Sequence, residues 1–160
     1  MSNTMTYKDI IIEDEIIKND ENTKIIIAKY NNKGVGNNKG VGYAGYFKYE
    51  QTAFLYAYGS YGIFVTKSFQ RKGIGSFLLK TTIEKAKDNG CNKFEIRDII
   101  YSKKPFYDHT LQSLKEKGII IKYKWTEYED EDEIDKIQNS KKVYEYIKQI
   151  VDKPGYEITI

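Results

Sequence analysis

Between residues 63 and 89 a short apolar strand pattern, Ile63-Phe64-Val65, passes through the turn Gln70-Arg71-Lys72-Gly73-Ile74-Gly75-Ser76 into the strongest helical pattern of the chain. From Gly73 to Asn89, Ile74, Phe77, Leu78 and Thr81 recur at helical spacing, and Gly90 is a good residue to stop the helix. Lys93 to Ile100 then reads as a buried strand. A strand, a crossover helix and a returning strand make a parallel pair. The two glycines of the turn also remove the side chains that would keep the backbone off a ligand. Successive N–H groups at the helix start can point at an anion, and Arg71 and Lys72 add charge there.

Upstream of this unit the pattern is mostly one of strands. Lys24 to Ala28 is a β-branched run too short for a helix, and Val41–Tyr49 and Ala53–Val65 are rich in Tyr, Phe, Val and Gly with no helical period. Asp9 to Ile17 fits either a strand or a helical turn. Downstream, Pro105 to Lys117 reads as a helix with Tyr107, Leu111 and Leu114 on one face and Gly118 closing it. Ile119 to Trp125 reads as a strand, followed by an acidic stretch from Glu127 to Glu133 and a helix to about Lys153. Pro154-Gly155 breaks that helix, and Tyr156 to Ile160 is a candidate last strand. The order predicts one mixed α/β domain over residues 1–160. Its sheet is mostly antiparallel, with a parallel pair around the Gly73 helix.

Composition narrows the classes further. At 160 residues, 40% hydrophobic and 14% aromatic, the chain has material for a sizeable core, which argues against intrinsic disorder. The lone Cys91 cannot form an internal disulfide and fits a reducing compartment. No apolar run reaches membrane-spanning length and the N-terminus lacks a signal-peptide core, so a soluble cytoplasmic protein is expected. A net charge of +3 is too small to argue for nucleic acid. No His/Cys spacing suggests a metal.

A second glycine cluster competes for attention. Residues 31–42 repeat NNKGVG, and the second copy creates Gly40-Val41-Gly42-Tyr43-Ala44-Gly45, a formal match to the dinucleotide fingerprint. That fingerprint works only where a helix N-terminus follows, because its amides and dipole meet a pyrophosphate. The residues that follow here are strand-like, so this cluster is read as a flexible hairpin lengthened by repeat slippage.

Ile63-Phe64-Val65, the Gln70 to Gly75 turn and Leu78-Leu79 together resemble the GNAT superfamily of N-acetyltransferases. The likeness runs from about residue 55 to residue 125. It implies the GNAT fold, with a splayed parallel pair around an acetyl-CoA-binding helix. The backbones of Ile63, Phe64 and Val65 would hold the acetyl carbonyl and the pantetheine arm. The amides of Gln70, Arg71, Lys72, Gly73, Ile74, Gly75 and Ser76 would hold the phosphates. Two departures stand out. The usual pair of N-terminal helices is absent from the pattern, which leaves that wall as a loop or to the helix at 133–153. Members of the family often carry a Tyr four residues before a Gly in the helix after the fifth strand, and here that position is Leu114. Tyr107 lies nearly two turns earlier on the same face and is the candidate general acid, with core packing as its alternative.

Acetyl transfer also needs a base and an acceptor. Glu95 and Asp98 lie on the strand after the helix, and Asp98, nearest its C-terminal end, is the candidate base, with a water relay as the other route. His109 falls off the Tyr107/Leu111 face, and Cys91 reads as a small buried residue. Arg97, Lys103 and Lys104 could bind an anionic acceptor, and KFEIRDIIYSKKPFY loosely resembles glucosamine-6-phosphate N-acetyltransferases. A small-molecule amine is therefore the expected partner, first an amino-sugar phosphate. The acidic run at 127–133 would instead suit a basic peptide, and a domain that binds CoA without turnover is the rival from another class. Dimerisation, common in the fold, would use the C-terminal helix or the last strand.

Overall fold

The β-branched and aromatic runs upstream of Gly73 do fold as a meander of antiparallel strands. The computed structural model describes residues 4–7, 10–19, 23–32, 38–56, 62–71, 73–127 and 153–160. Strands β1 (Thr4–Tyr7), β2 (Ile10–Asn19), β3 (Thr23–Asn32), β4 (Asn38–Tyr49) and β5 (Thr52–Tyr56) pair in chain order, each antiparallel to its predecessor. The ambiguous opening segment is thus a strand. After it come β6 (Ile63–Val65), α1 (Ile74–Asp88), β7 (Lys93–Arg97), α2 (Lys104–Glu116), β8 (Lys122–Thr126) and β9 (Gly155–Thr159). The expected helix over 133–153 lies almost wholly outside the described residues.

The strands form one sheet in the order β1-β2-β3-β4-β5-β7-β9-β8, with β6 paired to β4. The parallel pair around α1 is β5 with β7, in register from Thr52 opposite Lys93 to Tyr56 opposite Arg97. What reads in sequence as one strand from Ala53 to Val65 contains two, β5 and β6. β4 pairs with both, through Phe47–Tyr49 and Gly42–Ala44. Of β5 and β6, β7 pairs only with β5, so the sheet parts where β6 continues along β4 without it. Strand β7 ends at Arg97, earlier than the expected Ile100, because Asp98 adopts φ 63°, a left-handed conformation that Asp tolerates. The last strand, β9, lies between β7 and β8 and is paired on both sides, so it offers no free edge to a second copy.

Both described α-helices pack on one face of the sheet. Tyr46, Leu55, Phe94, Ile96, Tyr156 and Ile158 meet Leu79 and Ile83 of α1 and Leu111 and Leu114 of α2 in the main core. Sequence dictates where α1 begins and ends. Gly73, at φ 84°, caps its start, and Gly90, at φ 86°, follows its end, both in a region that favours glycine. Pro105 sits in the first turn of α2 and Gly118, at φ 74°, follows it.

The opposite face alternates with the first. There Phe54 packs with Phe47, Tyr49 and Tyr56. Beside it, β7 and β9 bring Glu95, Arg97 and Glu157 together. No helix among the described residues is long and apolar enough to cross a membrane.

Candidate active site

Where β6 and β7 part, a cavity of about 660 Å³ opens. Ile63, Phe64, Val65, Gln70, Arg71, Gly73, Gly75, Ser76, Lys103 and Tyr107, all expected from sequence, line it together with Ile99, Ile100 and Phe106. Lys72 lies outside the described residues. Ile74, also expected, does not line it, and its side chain is buried in a core cluster with Val41, Ala44 and Leu78.

One wall is the free edge of β6. The Gly45 N–H donates to the Gly62 carbonyl (3.1 Å) and the Thr66 N–H donates to the Val41 carbonyl (2.8 Å). Residues 62 and 66 therefore face β4, and by the antiparallel alternation so does Phe64, opposite Tyr43. Ile63 and Val65 turn their N–H and carbonyl groups the other way, toward the cleft. The Val65 carbonyl is met by the Gln70 side-chain amide, which donates to it at 3.0 Å and ties the turn to the strand. An edge with outward N–H groups can bind an amide-bearing chain or donate to a carbonyl oxygen that gains charge.

The floor is the start of α1. The Phe77 N–H bonds back to the Gly73 carbonyl (2.9 Å), so the amides of Ile74, Gly75 and Ser76 precede the first helical bond. Arg71, itself at φ 60° and exposed, stands beside them. Free amides at a helix start beside a cation are an arrangement that can receive an anion. A Cβ on Gly75 would lie 3.2 Å from Cζ of Phe106 and 3.9 Å from the Val65 side chain. That glycine therefore also sets how closely α2 approaches α1. Ser76 reinforces the contact through a 3.0 Å hydrogen bond between its hydroxyl and that of Thr110.

The far wall is the first turn of α2. Tyr107 lines the cavity with only 6% of its surface exposed, and its ring meets Phe106 at 5.0 Å and Tyr156 at 6.4 Å. Asp108 fastens this turn to β9. It accepts a hydrogen bond from the Tyr156 hydroxyl and a 2.9 Å ion pair from Lys104, whose Nζ also stands 5.1 Å from the Trp125 ring. Burial alone would raise the Asp108 carboxyl, but the bonds from Tyr156 and Lys104 and the Lys104 charge hold it below its ordinary value.

Several residues chosen from sequence do not reach the cleft. Arg97 is fully buried and engages Glu95 at 2.6 Å, Glu157 at 3.4 Å and the Thr126 hydroxyl at 2.5 Å. A guanidinium so committed is structural, and the expected anion-binding role is corrected. Its period-two neighbour Glu95 is consumed in the same pair. Lys104 is held by Asp108 and Trp125 rather than lining the cavity. Asp98 is half-buried, does not line the cavity and hydrogen-bonds Tyr56, whose hydroxyl is raised first by burial and then by that carboxylate. His109 is exposed and Cys91 buried.

The decoy glycines lie within β4, with no helix after them. A Cβ on Gly42 would fall 2.6 Å from the Phe64 carbonyl, so that glycine permits β6 to lie against β4. Sequence reasoning missed this, as it missed Thr110 and Asp108. A glycine inside a strand pattern was the available signal for the first. The others are contacts between distant elements.

A profile of the acetyltransferase (GNAT) family matches residues 3–105. No curated protein matches the chain in sequence. Among solved structures the fold is similar to a mutant form of a cAMP-binding acyltransferase from Mycobacterium smegmatis, at 13% identity and a TM-score of 0.50 over 88% of this chain and 32% of that one. It is likewise similar to an acetyltransferase of the GNAT family from Staphylococcus aureus, at 14% identity and a TM-score of 0.50 over 86% of this chain and 67% of that one. The chain thus spans about a third of the length of the first of these proteins. At such identities the likeness is one of fold.

Proposed function

Because the chain belongs to the GNAT acetyltransferase family, whose co-substrate is acetyl-CoA, we propose that it transfers an acetyl group directly to a primary amine of a small molecule. The observation that supports this most is the convergence, in one 660 Å³ cleft, of the β6 edge, the start of α1 and Tyr107. When bound, acetyl-CoA supplies the activated acetyl thioester. The residues present suit it: the α1 amides with Arg71 for phosphate, and the outward backbone of Ile63 and Val65 for the amide-bearing arm and the carbonyl oxygen. The strand alternation favours the N–H of Val65 or Ile63 over that of Phe64, which faces β4, as the donor to that oxygen.

Tyr107 is the proton donor for the departing thiolate, since it is the phenol that lines the described cleft opposite β6. The amine's proton goes to water, because Asp98, the carboxylate expected as base, does not line the cavity and is bonded to the Tyr56 hydroxyl. An amino-sugar phosphate acceptor keeps only Lys103 of its three expected cations, because Arg97 and Lys104 are otherwise engaged.

Release of CoA, followed with a thiol reagent over a panel of amines, tests the reading. Tyr107→Phe is expected to lower kcat about 100-fold while leaving CoA affinity within about twofold. Unchanged turnover in this variant would remove Tyr107 from the chemistry. Failure of the wild-type protein to bind CoA would sink the whole assignment.

A further inference from the structure

Four large apolar side chains are exposed among the described residues, Phe64, Ile100, Tyr101 and Ile121, and two of them share one cavity. Phe64 is 52% exposed and Ile100 46%, and both line the reaction cleft, from β6 on one side and from the segment after β7 on the other. Strand alternation directs Ile63 and Val65 toward α1, where both pack against its core cluster, and directs Phe64 to the opposite side of the sheet. The α1 side is occupied by the anion-binding turn, so an acceptor reaches the thioester from the side on which Phe64 stands.

The Phe64 ring is also backed. Tyr43, its cross-strand partner on β4, stacks on it with centroids 5.6 Å apart and planes inclined by 25°. Paired aromatics of this kind hold a ring rigid and leave its other face as a platform for a further flat ring. Half-exposed apolar surface inside a cleft that must exclude water has a cost unless a ligand covers it.

We propose that the acceptor is a primary amine carried on an aromatic ring, an arylalkylamine, whose ring is sandwiched between Phe64 and Ile100 while its amino group faces the β6 edge. This rests on the acetyltransferase reading above and specifies its substrate class. A phosphorylated or polyhydroxylated amine would leave both side chains exposed and, among the described residues, find Lys103 as its only lining cation on that side.

Wild-type protein and Phe64→Ala are compared with acetyl-CoA and four acceptors: phenethylamine, hexylamine, spermidine and glucosamine 6-phosphate. The proposal expects kcat/KM for phenethylamine to exceed that for hexylamine about tenfold and the two polar amines by more. It expects Phe64→Ala to raise the phenethylamine KM about tenfold with little change in CoA affinity, since the backbone of residue 64 is retained. Calorimetric titration of phenethylamine into the CoA-loaded protein gives the same comparison without turnover. A preference for glucosamine 6-phosphate or spermidine, equal use of hexylamine, or an unchanged KM in the variant overturns the aromatic acceptor and leaves the acetyltransferase intact. No acetyl transfer to phenethylamine with CoA binding intact also overturns the aromatic acceptor, whereas loss of CoA binding overturns both readings.

Discussion

Two clusters of glycines lie about thirty residues apart in this chain, and they perform opposite tasks. Gly40 to Gly45 lies in the middle of β4, where Gly42 lets a neighbouring strand lie against the backbone. Gly73 and Gly75 open α1, where one supplies a left-handed φ and the other a gap for Phe106. The first cluster matches a nucleotide-binding fingerprint by spacing, yet the element after it is more strand. What a glycine motif binds is therefore decided by the periodicity that follows it, because only a helix start leaves a set of aligned free amides.

The largest expected effect tests the first cluster. Gly42→Ala places a Cβ 2.6 Å from the Phe64 carbonyl, a backbone atom that cannot swing away. Chemical denaturation is expected to show a loss of about 3 kcal/mol. Unchanged stability with weakened CoA binding would reverse the comparison and make the β4 glycines a ligand site. Gly73→Ala is next. With φ at 84° it is expected to cost about 1–2 kcal/mol and to weaken CoA binding measurably by calorimetry, since the turn that orients the α1 amides is strained. Gly75→Ala should be mildest, below about 1 kcal/mol, because its 3.2 Å neighbour is the tip of a side chain. Its signature is a fall in kcat larger than any change in CoA affinity, restored by Phe106→Leu in the same chain. If CoA affinity falls instead and Phe106→Leu does not restore it, Gly75 serves the phosphates alone.

Much of the architecture was legible because its signals are local. The helical spacing of Ile74, Leu78 and Thr81, and the glycines after α1 and α2, are contained within single elements and fold as they read. Arg97 was misread for the converse reason. Its partner Glu157 is sixty residues away, brought adjacent only by the β7–β9 register, so a scarce arginine near a cleft looked available when it was not. Asp98 shows a third case. Extending β7 to Ile100 was reasonable from its apolar residues, but the left-handed turn at Asp98 is a backbone event with no periodic signature. The Phe64–Tyr43 stack likewise depends on a strand register fixed by Gly42, and no spacing within either strand announces it.

The position of β9 has a consequence for the order in which the molecule assembles. Among the described strands, β8 pairs only with β9, and β7 has β9 as its second neighbour. Until residues 155–159 arrive, β7 and β8 are both unsatisfied edges, and the first turn of α2 lacks the Tyr156 hydroxyl that Asp108 accepts. Open edges of this kind invite pairing with other chains. Closure by a contact sixty residues distant is also slow, because the loop entropy must be met before the new strand contributes. The wall that carries Tyr107 therefore depends, through Asp108 and Tyr156, on a strand pairing that no local segment of the chain supplies.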